Sequence, residues 1–243
     1  MRPVLNEFFA KQVPAHAVMR ACVQYDQWLV PTMYVSQAMG RTTLHRPIFF
    51  GDEFSHPAGT LLLYTDFEVA QAVSERGMLL GPYEGAVRGA ELFTNVHPSI
   101  QQISINEGAL DQDKLYLRGP SFGNLGVWID VVDFEAKLSG PTTPEMIAAL
   151  RRYDAFFALM LPGESIVTMP GAFGMQNPGV LFSAPDSLDA FKARVGAEVA
   201  KQLRTAQTTG EKIFELLPHL GVDGLVLNPF GPGITRTFGI GEL

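Results

Sequence analysis

The chain has 243 residues, with 18 Lys+Arg against 25 Asp+Glu and a formal net charge of −7. Hydrophobic residues make up 47% and charged residues 18%, a balance that excludes both intrinsic disorder and a coiled coil. The acidic excess speaks against nucleic acid as a partner, because phosphate binding is driven by Lys and Arg.

At the N-terminus, residues 1–9 lack the long apolar core of a signal peptide. No run approaches the roughly 18 apolar residues of a membrane span, so the expectation is a cytoplasmic protein without membrane contact. Residues 17–23 read as an apolar helical stretch that buries Cys22, the one cysteine, as an inert thiol. A single cysteine also rules out an internal disulfide and any multi-cysteine zinc site. Tyr25-Asp26 then marks the change from helix to an apolar strand around Trp28-Leu29-Val30.

Residues 60–66 form an apolar run suited to a buried strand, and an amphipathic helix follows from Phe67 to a stop at Gly77. Asp66 or Thr65 is placed to cap that helix. Gly81-Pro82-Tyr83-Glu84-Gly85 reads as a loop that exposes an aromatic beside an acid, and Asp111-Gln112-Asp113 as a solvated hairpin loop. Tyr83, Glu84, Asp111 and Asp113 are therefore the candidate partner-binding residues, since loop tyrosines commonly anchor interfaces. Residues 119–126 are dense in turn formers and are expected to separate two units, 1–120 and 127–243. Residues 127–132 read as a strand, and Thr143-Pro144 opens a further helix.

The second half repeats this order. Tyr153-Asp154 follows Tyr25-Asp26 at an offset of 128, and residues 179–186 match 60–66 at an offset of 119. A helix from Ser187 stops at Gly196 as the earlier one stops at Gly77, with Ser183 or Asp186 as its cap. Gly210 to Phe214 matches Gly89 to Phe93, and Leu225-Val226-Leu227-Asn228 lines up with Gln102-Ile103-Ser104-Ile105-Asn106. Asn228-Pro229-Phe230-Gly231-Pro232-Gly233 is a rigid turn, with the glycines expected to supply the unusual dihedrals. The fold class is α+β, built as two tandem, similar units packed as a pseudo-symmetric pair.

Leu29-Val30-Pro31, Leu61-Leu62-Leu63-Tyr64-Thr65-Asp66 and Gly224-Leu225-Val226-Leu227-Asn228-Pro229 together resemble the SseB family N-terminal domain, here in two divergent copies. The first copy departs from the pattern at Asn106-Glu107, where the proline after Asn is missing. The resemblance implies an α+β module with no established catalytic residues. By analogy it also implies a regulatory or toxin-neutralising role.

The chemistry-bearing residues agree with a protein lacking catalytic grammar. No two of the five histidines stand at i, i+3 or i+4, so a local metal motif is missing. His97 and His219 repeat at equivalent places, which suits a shared structural bond. His56 lies in Asp52-Glu53-Phe54-Ser55-His56-Pro57, yet neighbours along a loop rarely form a catalytic triad, and no Gly-Xaa-Ser-Xaa-Gly elbow occurs. Gly231-Pro232-Gly233 precedes a strand and is not a phosphate loop. The expectation is a non-catalytic, cofactor-free module that binds another protein, with a toxin as the narrower case and self-association left open. The alternative is an enzyme or small-molecule binder with its site between the halves.

Overall fold

The computed structural model describes residues 1–10, 12, 14–36, 43–47, 49–50, 60–75, 83–94, 96, 100–107, 109, 114–118, 120–162 and 165–243. The architecture is α+β, and the chain divides into two compact units, Met1–Val132 and Asp133–Leu243.

The first unit begins with helices α1 (Arg2–Phe9) and α2 (Ala15–Gln24). Strands β1 (Trp28–Ser36), β2 (Thr43–Pro47), β3 (Phe49–Phe50) and β4 (Thr60–Leu63) follow, then α3 (Phe67–Glu75) and β5 (Tyr83–Val87). It ends with α4 (Gly89–Thr94), β6 (Gln102–Ile105), β7 (Leu115–Arg118) and most of α5 (Pro120–Lys137). Its strands run in the orders β2-β1-β5 and β3-β4-β6-β7, and a bridge between Leu29 and Tyr64 connects the two sets. Among its described strands, only β4 and β6 pair in parallel. Leu61, Leu62 and Leu63 are buried, as a strand packed on both faces requires. Asp66 Oδ1 accepts from Val69 N–H at 2.9 Å and so caps α3 as expected.

The second unit continues from α5 into α6 (Pro144–Arg152), β8 (Phe156–Met160), β9 (Gly179–Phe182) and α7 (Pro185–Val195). The short helix α8 (Ala197–Ala200), β10 (Arg204–Thr208) and α9 (Gly210–Leu216) follow, then a 3-10 turn (Leu217–His219), β11 (Gly224–Leu227) and β12 (Arg236–Gly239). Its sheet has the order β10-β8-β9-β11-β12, again with one parallel pair, β9 with β11. Phe134, Tyr153 and Phe156 form an aromatic nucleus in its core, with Phe134 stacked on Tyr153 at 3.8 Å between ring centroids. Such ring pairs contribute about 0.5–1.5 kcal/mol beyond the area they bury.

Residue pairings recur between the units. Trp28 faces Val87, and Phe156 faces Thr208. Leu29 faces Tyr64, and Phe157 faces Phe182. Leu63 faces Ile105, and Leu181 faces Leu227. These pairs set Leu63 against Leu181, an offset of 118 and not 119. A strand buried on both faces shows no alternation, so nothing in its composition set the phase of the match.

Two further expectations are corrected. Residues 120–137 form one helix, so neither a turn-rich boundary over the described part of 119–126 nor a strand at 127–132 exists. Leu125, Trp128, Val131, Phe134 and Leu138 are buried at spacings of three and four, a helical stripe that overrides the β-branched residues around it. Asp186 does not cap α7 as Asp66 caps α3. Its Oδ1 accepts from the adjacent Ser187 N–H at 2.7 Å, and α7 begins at Pro185 without a side-chain cap.

Candidate functional site

Each unit holds a tyrosine at the end of a helix, and the same bonds surround it. Tyr25 follows α2 and Tyr153 follows α6, both with extended backbone. The Tyr25 hydroxyl donates to Thr65 O, and the Tyr153 hydroxyl donates to Ser183 O at 2.7 Å. Their own carbonyls accept from Gly89 N–H and Gly210 N–H, each at 2.6 Å. The approach is so close that only glycine fits. A Cβ on Gly210 would lie 2.7 Å from Arg151 O and nearer still to Leu150 O, and one on Gly89 would lie 2.8 Å from Val23 O and nearer to Cys22 O. Burial, reinforced by the Asp66 and Asp26 carboxylates, holds the Tyr25 phenol above its ordinary value.

The opposite end of each tyrosine bond leads to an asparagine. Asn106 and Asn228 are fully buried with φ of 57° and 51°, the left-handed region that Asn tolerates best after Gly. Asn106 Oδ1 accepts from Thr65 N–H at 2.9 Å, and Asn228 Oδ1 accepts from Ser183 N–H at 2.8 Å. Each unit also holds a buried glutamate. In the first unit Glu107 accepts from the Ser104 and Tyr116 hydroxyls. In the second, Glu135 Oε1 accepts from Ser183 Oγ at 2.6 Å and from Asn228 Nδ2 at 3.3 Å.

The second cluster fixes the turn that follows Asn228. Asn228 O accepts from Gly231 N–H at 3.2 Å and from Thr235 Oγ1 at 2.9 Å. Here the expected role of the glycines is corrected. The positive φ angles fall on Asn228 and on Phe230, at 63°, and not on Gly231 or Gly233. The glycines serve proximity. A Cβ on Gly231 would meet Ser187 Cβ at 2.7 Å, and one on Gly233 would meet Glu135 Oε1 at 2.5 Å. The turn is thereby seated on a buried polar network, which displays Phe230 with 50% of its surface exposed.

A second loop does the same for Phe173. Gly171, Phe173 and Gly174 have φ of 72°, 55° and 76°, and bonds from Gly171 N–H to Gln176 O and from Met175 N–H to Ala172 O tie the loop to itself. Phe173 is 42% exposed, and its ring centroid lies 6.3 Å from that of Phe230. Beneath Phe230, the buried Phe191 of α7 stacks at 6.3 Å, and the Arg194 guanidinium lies 5.6 Å from the Phe230 ring centroid. A bulky side chain on left-handed backbone costs about 1–2 kcal/mol. Two such residues side by side, both displaying their rings, form the candidate site, an aromatic ledge with a cation at its edge.

The residues expected to bind a partner, Tyr83, Glu84, Asp111 and Asp113, belong to the first unit. Tyr83 and Glu84 stand in strand β5, where Tyr83 pairs with Pro31 and Glu84 with Val30, so the described part of the expected loop, 83–85, is strand. Asp111 and Asp113 lie outside the described residues, as do His56 and His97. His219 ends the 3-10 turn. Cys22 is fully buried and its thiol is pushed up to about 12 by desolvation, which suits an inert core residue. Among the described residues no group of three or more His, Cys, Asp or Glu is placed to hold a metal ion. Open cavities of about 610 Å³ and 590 Å³ border Arg151, and neither includes a residue of the ledge. The sequence carried a partial signal for the ledge, since Phe173 and Phe230 are set among turn-forming glycines and prolines, as Tyr83 and Phe122 also are.

Among the described residues no helix is long and apolar enough to cross a membrane. No family model matches the chain, and no curated protein matches it. A solved chain described as Anabaena Tic22 (protein transport) aligns over 85% of this chain and 87% of its own length, at 10% identity and a TM-score of 0.24. That similarity is too low to imply a common fold or function.

Proposed function

We propose that the protein is a non-catalytic, cytoplasmic module that binds another protein, and that its second unit makes contact through the ledge. The observation that carries this reading is the backbone strain at Phe173 and Phe230. Strained residues persist where the surrounding structure holds them and where their placement serves a role. Residues that favour stability alone would be Gly or Asn at these φ values, and an exposed ring recovers little of the cost. Aromatic side chains on rigid supports are the usual anchors of protein interfaces.

A narrower proposal follows from the net charge of −7 and the SseB-like motifs: the partner is a toxin with a basic cleft, which an acidic protein reaches quickly by electrostatic steering. Site-specific photocrosslinking in the native host tests the broader reading. Benzoylphenylalanine in place of Phe230 should give one dominant protein adduct, and the same group in place of Val199, which is also exposed, should not. Equal yields at both positions, or none at either, overturn it.

A further inference from the structure

The ledge also carries a charge. Arg194 is exposed, and its one interaction among the described residues is with the face of Phe230. Two other cations of the same unit have hydrogen-bonding partners. Lys192 donates to Thr205 Oγ1 at 2.9 Å, and Lys201 pairs with Glu198 at 2.6 Å. Within an acidic chain, the aromatic ledge is thus edged by an arginine whose charge no described carboxylate answers. Arginine held over an aromatic ring keeps its in-plane N–H donors directed outward, where a carboxylate can accept from them.

The position of Phe230 adds a second argument. Asn228 corresponds to Asn106, so Phe230 corresponds to Gly108. The second half carries a phenylalanine where the first half carries the residue best suited to left-handed backbone. The replacement works against local stability and produces the exposed ring.

We propose that Phe173, Phe230 and Arg194 bind an extended segment of a partner polypeptide, in which an apolar side chain packs against the two rings and a neighbouring Asp or Glu pairs with Arg194. This rests on the broader protein-binding reading and not on the basic-cleft case, whose net-charge steering runs the other way, and it adds the chemistry of the partner's segment at the ledge. Charge complementarity with Arg194 selects an acidic segment over a neutral or basic one.

The test uses the full chain and three fluorescent dodecapeptides, each with a central Phe flanked by Asp and Glu, by Ser and Gly, or by Lys and Arg. Fluorescence anisotropy at low salt should show the acidic peptide binding at least tenfold more tightly than the neutral one, with the preference lost at 0.5 M salt. Arg194→Glu should reverse the preference in favour of the basic peptide, and Phe230→Gly should weaken binding of the acidic peptide at least tenfold while far-UV circular dichroism stays unchanged. Equal binding of all three peptides, or binding indifferent to both substitutions, overturns the proposal. A native dimer that Phe230→Gly dissociates in sedimentation equilibrium also overturns it, because the ledge then receives a second copy. If the photocrosslink at position 230 forms and the peptides do not discriminate, the partner-binding reading stands and the acidic-segment proposal falls. If neither experiment responds, both fall.

Discussion

Gly210→Ala should be among the most damaging single-methyl additions in the second unit. The added Cβ starts 2.7 Å from Arg151 O and nearer to Leu150 O, whereas ordinary contact begins at 3.4 Å. Even the milder overlap requires a shift of about 0.7 Å between α9 and the end of α6. That shift stretches the 2.6 Å bond from Gly210 N–H to Tyr153 O, in a place where the tyrosine also anchors Ser183 through its hydroxyl. Overpacking of this kind costs about 1–3 kcal/mol, and a weakened buried hydrogen bond adds about 0.5–1.5 kcal/mol. Lower chain entropy in the unfolded state offsets about 0.4–1 kcal/mol. The net loss is about 2–3 kcal/mol, read as a fall of about 1 M in the urea midpoint followed by far-UV circular dichroism. Gly89→Ala should behave alike, followed by the fluorescence of Trp28 and Trp128, both in the first unit. Gly126→Ala is the control: nothing lies within 4 Å of the new Cβ on α5, so a gain of up to about 1 kcal/mol is expected. Loss of under 0.5 kcal/mol for Gly210→Ala would refute the proposed close approach.

Three other substitutions or titrations follow from the same geometry. Asn228→Ala removes the acceptor for Ser183 N–H and the donor to Glu135 and Ser183, and should cost about 3 kcal/mol in urea unfolding, of which Asn228→Gly recovers only the backbone share of about 1 kcal/mol. Phe230→Gly should change stability by less than about 1 kcal/mol, because relief of strain offsets the half-buried ring, whereas a fully buried phenylalanine would cost about 3–5 kcal/mol. Cys22 has a folded value of about 12 against an ordinary 9.0, so its contribution is fully present below pH 9 and is lost as pH rises from 9 toward 12, where only the unfolded thiol ionises. Its part of the slope is at most about 1.4 kcal/mol per pH unit, measurable as the difference between the native protein and Cys22→Ala. In the folded protein at pH 8 a thiol reagent should leave Cys22 unmodified.

The order of elements was legible because most of its signals are local. The Tyr-Asp helix ends, the glycines at 89 and 210 and the asparagines at 106 and 228 all recur in the sequence, and all recur in the bonds. Phase was less legible, since Leu61 to Leu63 and Val180 to Phe182 are buried on both faces and carry no alternation. Helix α5 was hidden by Gly123, Gly126 and a β-branched run, although Leu125, Trp128, Val131 and Phe134 kept the helical spacing. The ledge was not legible as a surface. Phe173 and Phe230 are 57 residues apart in sequence, and only the meeting of two loops sets their rings 6.3 Å apart. Turn composition likewise pointed to the glycines for positive φ, whereas the close approach of Ser187 and Glu135 used the glycines for space and left the strain to Phe230.

The most direct test of protein binding through the ledge is the photocrosslinking yield at position 230 compared with position 199 in living cells of the native host. One dominant adduct at 230 that disappears when Phe173→Ser and Arg194→Glu are added is the result expected. Adducts of equal yield at the two positions, or an adduct at 230 that survives both substitutions, would contradict it.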